Sequence, residues 1–218
     1  MAYRLSHVLA ALAVAGGTLA LAAPALAGSD AFDRPKLGPS WVSVSGKLSI
    51  SADQLVGTTL GIGYLQKSSG DSAASAVVFL GGTDLEYGAV AVGNIPGGSN
   101  AFLKIQSQDG AGTFDHAAFY TGNNGTGNFF ALASAVPSPA ILDATFCGTV
   151  AYMRITSAAG VQTYSYDYGT TFGSGGGLGT YGSVSLDNYV GFKTNCSAAA
   201  VATAIPAASL RHDKDLSH

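Results

Sequence analysis

Beyond residue 27 the apolar residues of this chain do not recur at the i, i+3, i+4 spacing of a helix; they come in short runs that alternate residue by residue and end at turn formers. The runs are rich in Val, Ile, Phe, Tyr and Thr, and 30 glycines punctuate them. This predicts strands at Trp41–Ser51 (one or two), Thr58–Gln66, Ser75–Leu80, Tyr87–Val92, Ala101–Ser107, Phe114–Thr121, Phe129–Ala133, Ala144–Thr156, Val161–Tyr168 and Ser183–Phe192. Hairpin turns are expected at Ser69-Gly70-Asp71, Pro96-Gly97-Gly98, Asp109-Gly110, Asn124-Gly125 and Ala159-Gly160. Alternation is cleanest in Ala101–Ser107, where Leu103 and Ile105 share one face and Phe102, Lys104 and Gln106 the other. It recurs in Thr149–Thr156, where Ala151, Met153 and Ile155 oppose Val150, Tyr152 and Arg154. A charged residue on one face of each run marks that face as reaching solvent. Strands this regular, with no helices between them, predict an all-β fold, an antiparallel sandwich or jelly roll rather than a parallel sheet.

The ends of the chain are of another kind. Met1–His7 carries Arg4 and no acid, Val8–Ala23 is almost wholly apolar, and Pro24 precedes Ala25-Leu26-Ala27, which offers small residues where a signal peptidase reads. The apolar run, broken by Gly16-Gly17, falls short of the ~20 residues a spanning helix needs. Residues 1–27 are therefore expected to be a signal peptide, 28–196 a single domain, and 197–218 an Ala-rich tail that is flexible or, alternatively, a short docked helix. The mature chain is expected to be secreted or periplasmic, with no membrane span. In such a compartment Cys147 and Cys196 are expected to form a disulfide, the alternative being two buried thiols. The 13 acids exceed the 10 bases, and the bases are scattered, which excludes a phosphate-binding stripe and hence nucleic acid as a partner.

Two stretches together suggest a family. Asp30-Ala31-Phe32-Asp33-Arg34, Leu37-Gly38 and Trp41 resemble the opening of bacterial concanavalin A-like (laminin-G-like) jelly-roll domains. Gly177-Leu178-Gly179-Thr180-Tyr181-Gly182 and Ser185-Leu186-Asp187-Asn188-Tyr189 resemble their final strand. The resemblance implies a two-sheet antiparallel jelly-roll sandwich with a curved sheet and adjacent termini. Its members include lectins, glycan-binding modules, glucanases and adhesive modules, so it implies fold more than activity. No binding motif of the family is found in the middle of the chain.

Residue chemistry favours binding over catalysis. Glycoside hydrolysis uses two carboxylates about one bond, and glucanases of this fold carry them as Glu-x-Asp-x-Glu. This chain has one glutamate, Glu86, and only Asp84-Leu85-Glu86 approaches the pattern, after a Gly81-Gly82 turn. His116 is the one histidine inside the domain, and no nucleophile elbow accompanies it. The run Gly173–Gly179 reads as a loop, since a phosphate cradle needs a strand before it and a helix after it. No cofactor is required. Asp109 and Asp115 on a glycine-rich loop, with Asn123-Asn124, have the oxygen chemistry of a calcium site, the alternative being an ordinary hairpin loop. Tyr164, Tyr166 and Tyr168 project from one face of a strand and form either a sugar platform or a wall of the core; Tyr152 and Arg154 are further candidate ligand contacts. The expectation is an exported lectin-like module binding a polysaccharide or cell-surface glycan on the concave sheet. An adhesive module with an extracellular protein partner, or a degenerate glycosidase, are the alternatives.

Overall fold

The computed structural model describes residues 26–57, 60–65, 72–94, 99–121, 126–194 and 196, and among them there is no helix. The proposed signal peptide (except Leu26 and Ala27), the tail, Asn123-Asn124 and three of the expected turns (69–71, 96–98, 124–125) lie outside the described residues. In chain order the strands are β1 (Leu26–Asp30), β2 (Trp41–Ser45), β3 (Leu48–Ser51), β4 (Gln54–Gly57), β5 (Leu60–Leu65), β6 (Ala73–Phe79), β7 (Glu86–Asn94) and β8 (Ser99–Ser107). They continue with β9 (Thr113–Thr121), β10 (Thr126–Pro137), β11 (Ala140–Cys147), β12 (Val150–Ser157), β13 (Gly160–Asp167), β14 (Gly176–Tyr181) and β15 (Ser185–Phe192). One sheet runs β13-β12-β11-β6-β15-β4-β3, with β1 also paired to β15; the other runs β10-β9-β8-β7-β14-β5-β2. Every pairing is antiparallel.

The core lies between the two sheets. Val90, Leu103, Ile105 and Phe119 of the seven-stranded sheet meet Val78, Leu142, Met153 and Ile155 of the other. The alternation in β8 and β12 thus buries the residues expected to be buried. Where β6 faces β7 the sheets approach so closely that a Cβ on Gly88 would collide with Val78.

Two expectations require correction. The predicted strand Ala144–Thr156 is the hairpin β11–β12, turned at Gly148-Thr149 with Gly148 at φ 63°. More consequentially, the expected loop Gly173–Gly179 gives way at Gly176 to strand β14 (Gly176–Tyr181), paired on both sides, to β7 and β5. Its backbone hydrogen bonds are satisfied by two neighbours, so it needs no side chains of its own to hold register. Two short strands, β1 and β4, have no counterpart among the expected strands.

The two stretches that carried the family resemblance meet in space. Asp30 accepts from Arg34 Nη1 at 2.7 Å and Nη2 at 2.5 Å, from Phe32 N at 2.8 Å and from Trp41 Nε1 at 2.6 Å. Burial pushes the Asp30 carboxyl up, but the Arg34, Phe32 and Trp41 donors outweigh it and hold the group below its ordinary value. Trp41 then packs edge-on against Tyr189 of the closing Asp-Asn-Tyr, ring centroids 5.1 Å apart. Asn188 takes a left-handed φ of 52°, and at that point the register of β15 against β6 shifts between Asp187 and Val190. The opening and closing motifs are therefore one clasp joining β1 and β15 of one sheet to β2 of the other. Cys147 and Cys196 form the expected disulfide, with Cα atoms 5.4 Å apart.

Candidate functional site

The proposed ligand residues do not form one surface. Tyr164, Tyr166 and Tyr168 of β13 and the segment just after it turn inward and pack on the core. Their rings meet Phe130 at 4.8 Å (Tyr164), Phe119 at 5.8 Å (Tyr166) and Phe172 at 5.1 Å (Tyr168). Tyr164 Oη accepts from Ala133 N at 2.9 Å, where a register shift in β10 interrupts its ladder with β9, and donates to Gln162 Oε1 at 2.5 Å. Gln162 Nε2 in turn donates to Ser134 O. Tyr168 Oη donates to Tyr120 O at 3.0 Å, and its phenol pKa is raised by burial and then by Tyr166. The row is the core wall that closes the sandwich between the edge strands β13 and β10. Tyr152 and Arg154 lie on the opposite face of the β12 sheet, because their neighbours Ala151, Met153 and Ile155 point inward.

On that outer face Asp143 sits between its cross-strand partners Ser75 and Arg154. It is 5% exposed, and among the described residues no hydrogen bond of ordinary geometry reaches either carboxylate oxygen; Arg154 Nε is 3.9 Å from Oδ2. Burial pushes its pKa up to about 6, against weaker opposing pulls from Ser75 and Arg154.

Glu86, Asp109 and Asp115 have structural partners. Both oxygens of Glu86 face a turn: Oε2 accepts from Gly81 N and Gly82 N, and Oε1 from Thr83 N and Thr83 Oγ1 at 2.6 Å. Burial raises the Glu86 pKa, but these donors outweigh it and hold the carboxylate ionised. Asp84 is exposed in the same turn. Asp109 accepts from Ala111 N, and Asp115 accepts from Gln108 N beside His116 Nδ1 at 3.2 Å. Among the described residues no group of three or more His, Cys, Asp or Glu side chains converges to hold a metal ion.

A different surface assembles on the outer face of the seven-stranded sheet. Register lines up three rows across neighbouring strands: Tyr181, Tyr87, Gln106 and His116; Gly179, Ala89, Lys104, Ala118 and Phe129; and Gly177, Ala91, Phe102 and Tyr120. Directly opposed residues of an antiparallel pair share a face, so these side chains point away from the core. The small residues form a floor: Ala91 and Ala118 are fully buried although they point outward. Large side chains stand around it. Tyr87 stacks on Tyr181 with centroids 5.2 Å apart and planes 9° apart, and His116 stacks on Phe129 at 4.9 Å. Phe129, 42% exposed, is the most open ring. Lys104 Nζ lies over three rings, at 4.4 Å from the centroid of Tyr87, 4.8 Å from Tyr120 and 5.6 Å from Phe129, and donates to Gln106 Oε1 at 2.8 Å. Burial lowers the Lys104 pKa to about 8.

Sequence reading found part of this face, the outward trio Phe102, Lys104 and Gln106. It missed Tyr87 and Tyr181, whose juxtaposition depends on β14 being a strand. A signal was present: Tyr181 ends the glycine run at strand spacing from Gly179 and Gly177, as Tyr87 precedes Ala89 and Ala91.

Among the described residues no helix is long and apolar enough to cross a membrane. No family profile matches the chain. No curated protein matches it by sequence. Solved structures match it by fold. A Bacteroides ovatus protein described as xyloglucan PUL GH43B superposes with a TM-score of 0.55 at 15% identity, over 76% of this chain and 39% of its own. The CBM2 module of the Lactobacillus casei BL23 phage J-1 evolved Dit gives 0.54 at 8% identity, over 79% of this chain and 96% of its own. Bacillus licheniformis beta-glucanase gives 0.54 at 9% identity, over 77% of this chain and 98% of its own. The chain thus spans well under half the length of the first of these and nearly all of the other two. At such identities the likeness is one of fold, and the chain folds as a concanavalin A-like jelly-roll β-sandwich.

Proposed function

We propose that this chain is an exported, non-catalytic carbohydrate-binding module whose ligand lies across the outer face of the seven-stranded sheet. One observation carries the reading: Tyr181 and Tyr87 on one side and Tyr120 and Phe129 on the other stand partly exposed around a buried floor of Gly177, Gly179, Ala89, Ala91 and Ala118. A pyranose ring has apolar C–H faces and a polar rim. Aromatic rings cover the first, and Gln106, Lys104 and the tyrosine hydroxyls serve the second. From β14 to β10 the face crosses four inter-strand gaps of ~4.8 Å, roughly 19 Å in all, which suits an oligosaccharide rather than a single sugar. Of the carboxylates beside this face, Asp84 lies in the turn before β7, Glu86, the first residue of β7, has both oxygens engaged by that turn, and Asp115 accepts from Gln108 N. The chain is similar in fold to a beta-glucanase and to a CBM2 module; the missing carboxylate pair favours the second kind of role.

Affinity electrophoresis through gels containing soluble polysaccharides tests this. At least one polysaccharide is expected to retard the wild-type domain. Tyr87→Ala and Tyr181→Ala are each expected to weaken that retardation by about tenfold, the loss of roughly 1.4 kcal/mol of ring contact. Tyr152→Ala, on the other sheet, is expected to leave it unchanged. Free migration in every polysaccharide overturns the reading.

A further inference from the structure

We infer that the ligand is an acidic polysaccharide, with a uronate carboxylate seated on Lys104 Nζ inside the enclosure of Tyr87, Tyr120 and Phe129; this rests on the binding reading above and narrows it. Lys104 stands at the middle of the face, flanked across its strands by Ala89 and Ala118. Those small residues are themselves buried, and Lys104 remains partly exposed among the rings. The ammonium is partly buried, yet among the described residues no carboxylate pairs with it: the ion pairs there are Arg34–Asp30, His116–Asp115 and Arg154–Asp143. Its company is three ring faces and one amide oxygen.

Ring quadrupoles attract a cation but do not neutralise it. The depressed pKa of about 8 records that shortfall, since burial is not compensated by any charge. At neutral pH the group is still mostly protonated and holds an unmet demand for an anion. An ammonium has three donors. Gln106 Oε1 takes one, which leaves two for a pair of oxygens, the number a carboxylate presents. A hydroxyl of a neutral sugar brings no charge and leaves the demand unmet. The chain as a whole is acidic, at −3, so attraction to a polyanion has to come from this local site and not from general surface charge.

The test compares retardation by polygalacturonate and alginate (carboxylate), dextran sulfate (sulfate) and barley β-glucan and dextran (neutral). Wild type is expected to bind a uronate polymer at least tenfold more tightly than either neutral polymer, and to lose most of that preference in 0.5 M salt. Lys104→Met is expected to abolish the preference. Lys104→Arg, which keeps the charge, is expected to retain it, so a folding defect in Lys104→Met does not obscure the answer. Equal binding of neutral and uronate polymers, an undiminished preference in Lys104→Met, or tighter binding of sulfate than carboxylate overturns the inference and leaves the carbohydrate-binding reading standing. No binding to any polymer overturns both.

Discussion

Replacing Glu86 with glutamine keeps the shape of the side chain and removes the charge that four donors converge on. Gly81 N and Gly82 N point at one oxygen, and Thr83 N and Thr83 Oγ1 at the other. In the amide one of those oxygens becomes an NH2 group; turned toward Thr83 it donates to Oγ1 but faces the Thr83 N–H, so at least one bond is lost and the remaining donors no longer have an ionised acceptor. Hydrogen bonds to a charged group contribute ~1.5–3 kcal/mol each, and the net loss is expected to be about 3 kcal/mol, or roughly 6–12 °C in Tm for a domain of this size. Urea unfolding of the oxidised domain at pH 7 measures it. The folded-state pKa of Glu86 lies below its ordinary 4.5, so its contribution is complete above that value and is lost as the pH falls through the lower folded value. The gap between wild type and Glu86→Gln therefore narrows on acidification below pH 4.5. A midpoint unchanged at pH 7 refutes the reasoning: Glu86 would then not be a turn clamp, and a chemical role for the Asp84–Glu86 pair would reopen.

Asp143 predicts the opposite sign. Its folded pKa of about 6 exceeds its ordinary 3.8, so the native state binds the proton more tightly and loses stability as pH rises between those values. Asp143→Asn is expected to stabilise the domain at pH 7 by up to ~3 kcal/mol, with the gain vanishing by pH 3.5. Urea midpoints across pH check this, and a gain independent of pH contradicts it. The Cys147–Cys196 bridge spans a sequence separation of 49 residues; the Cys147→Ser, Cys196→Ser double variant is expected to lose ~4 kcal/mol of stability. Intact mass of the unreduced protein, two hydrogens lighter than the dithiol, reports the bridge itself.

The fold was legible wherever side chains alternate. In β8 and β12 the period-two pattern assigns each residue to its face, because a strand with one buried side must display that period. It was illegible in β14, whose three glycines have no side chains to alternate; only the ladders to β7 and β5 identify it as a strand. The β11–β12 hairpin reads as one strand in the sequence because a single glycine, Gly148, interrupts two apolar runs that are otherwise continuous. The tyrosine row shows the limit of pattern for a site. Spacing places Tyr164, Tyr166 and Tyr168 on a common face but does not say which face the second sheet covers. The aromatic face draws its residues from five strands separated by up to about a hundred positions. Register, a tertiary property, brings Tyr181 against Tyr87 and sets Lys104 opposite Ala118, within reach of the Tyr120 ring. The clasp of Asp30, Arg34, Trp41 and Tyr189 was visible as two separate motifs and becomes one structure only in space.

Amide chemical-shift mapping of the isotope-labelled domain, titrated with oligogalacturonides, locates the ligand without relying on any substitution. The largest shifts are expected at Tyr87, Ala89, Lys104, Ala118, Phe129 and Gly179, with little change at Asp143, Tyr152 and Arg154. Shifts concentrated on that second group, or along Tyr164–Tyr168, would place the ligand on another surface and contradict the assignment of the seven-stranded sheet as the binding face.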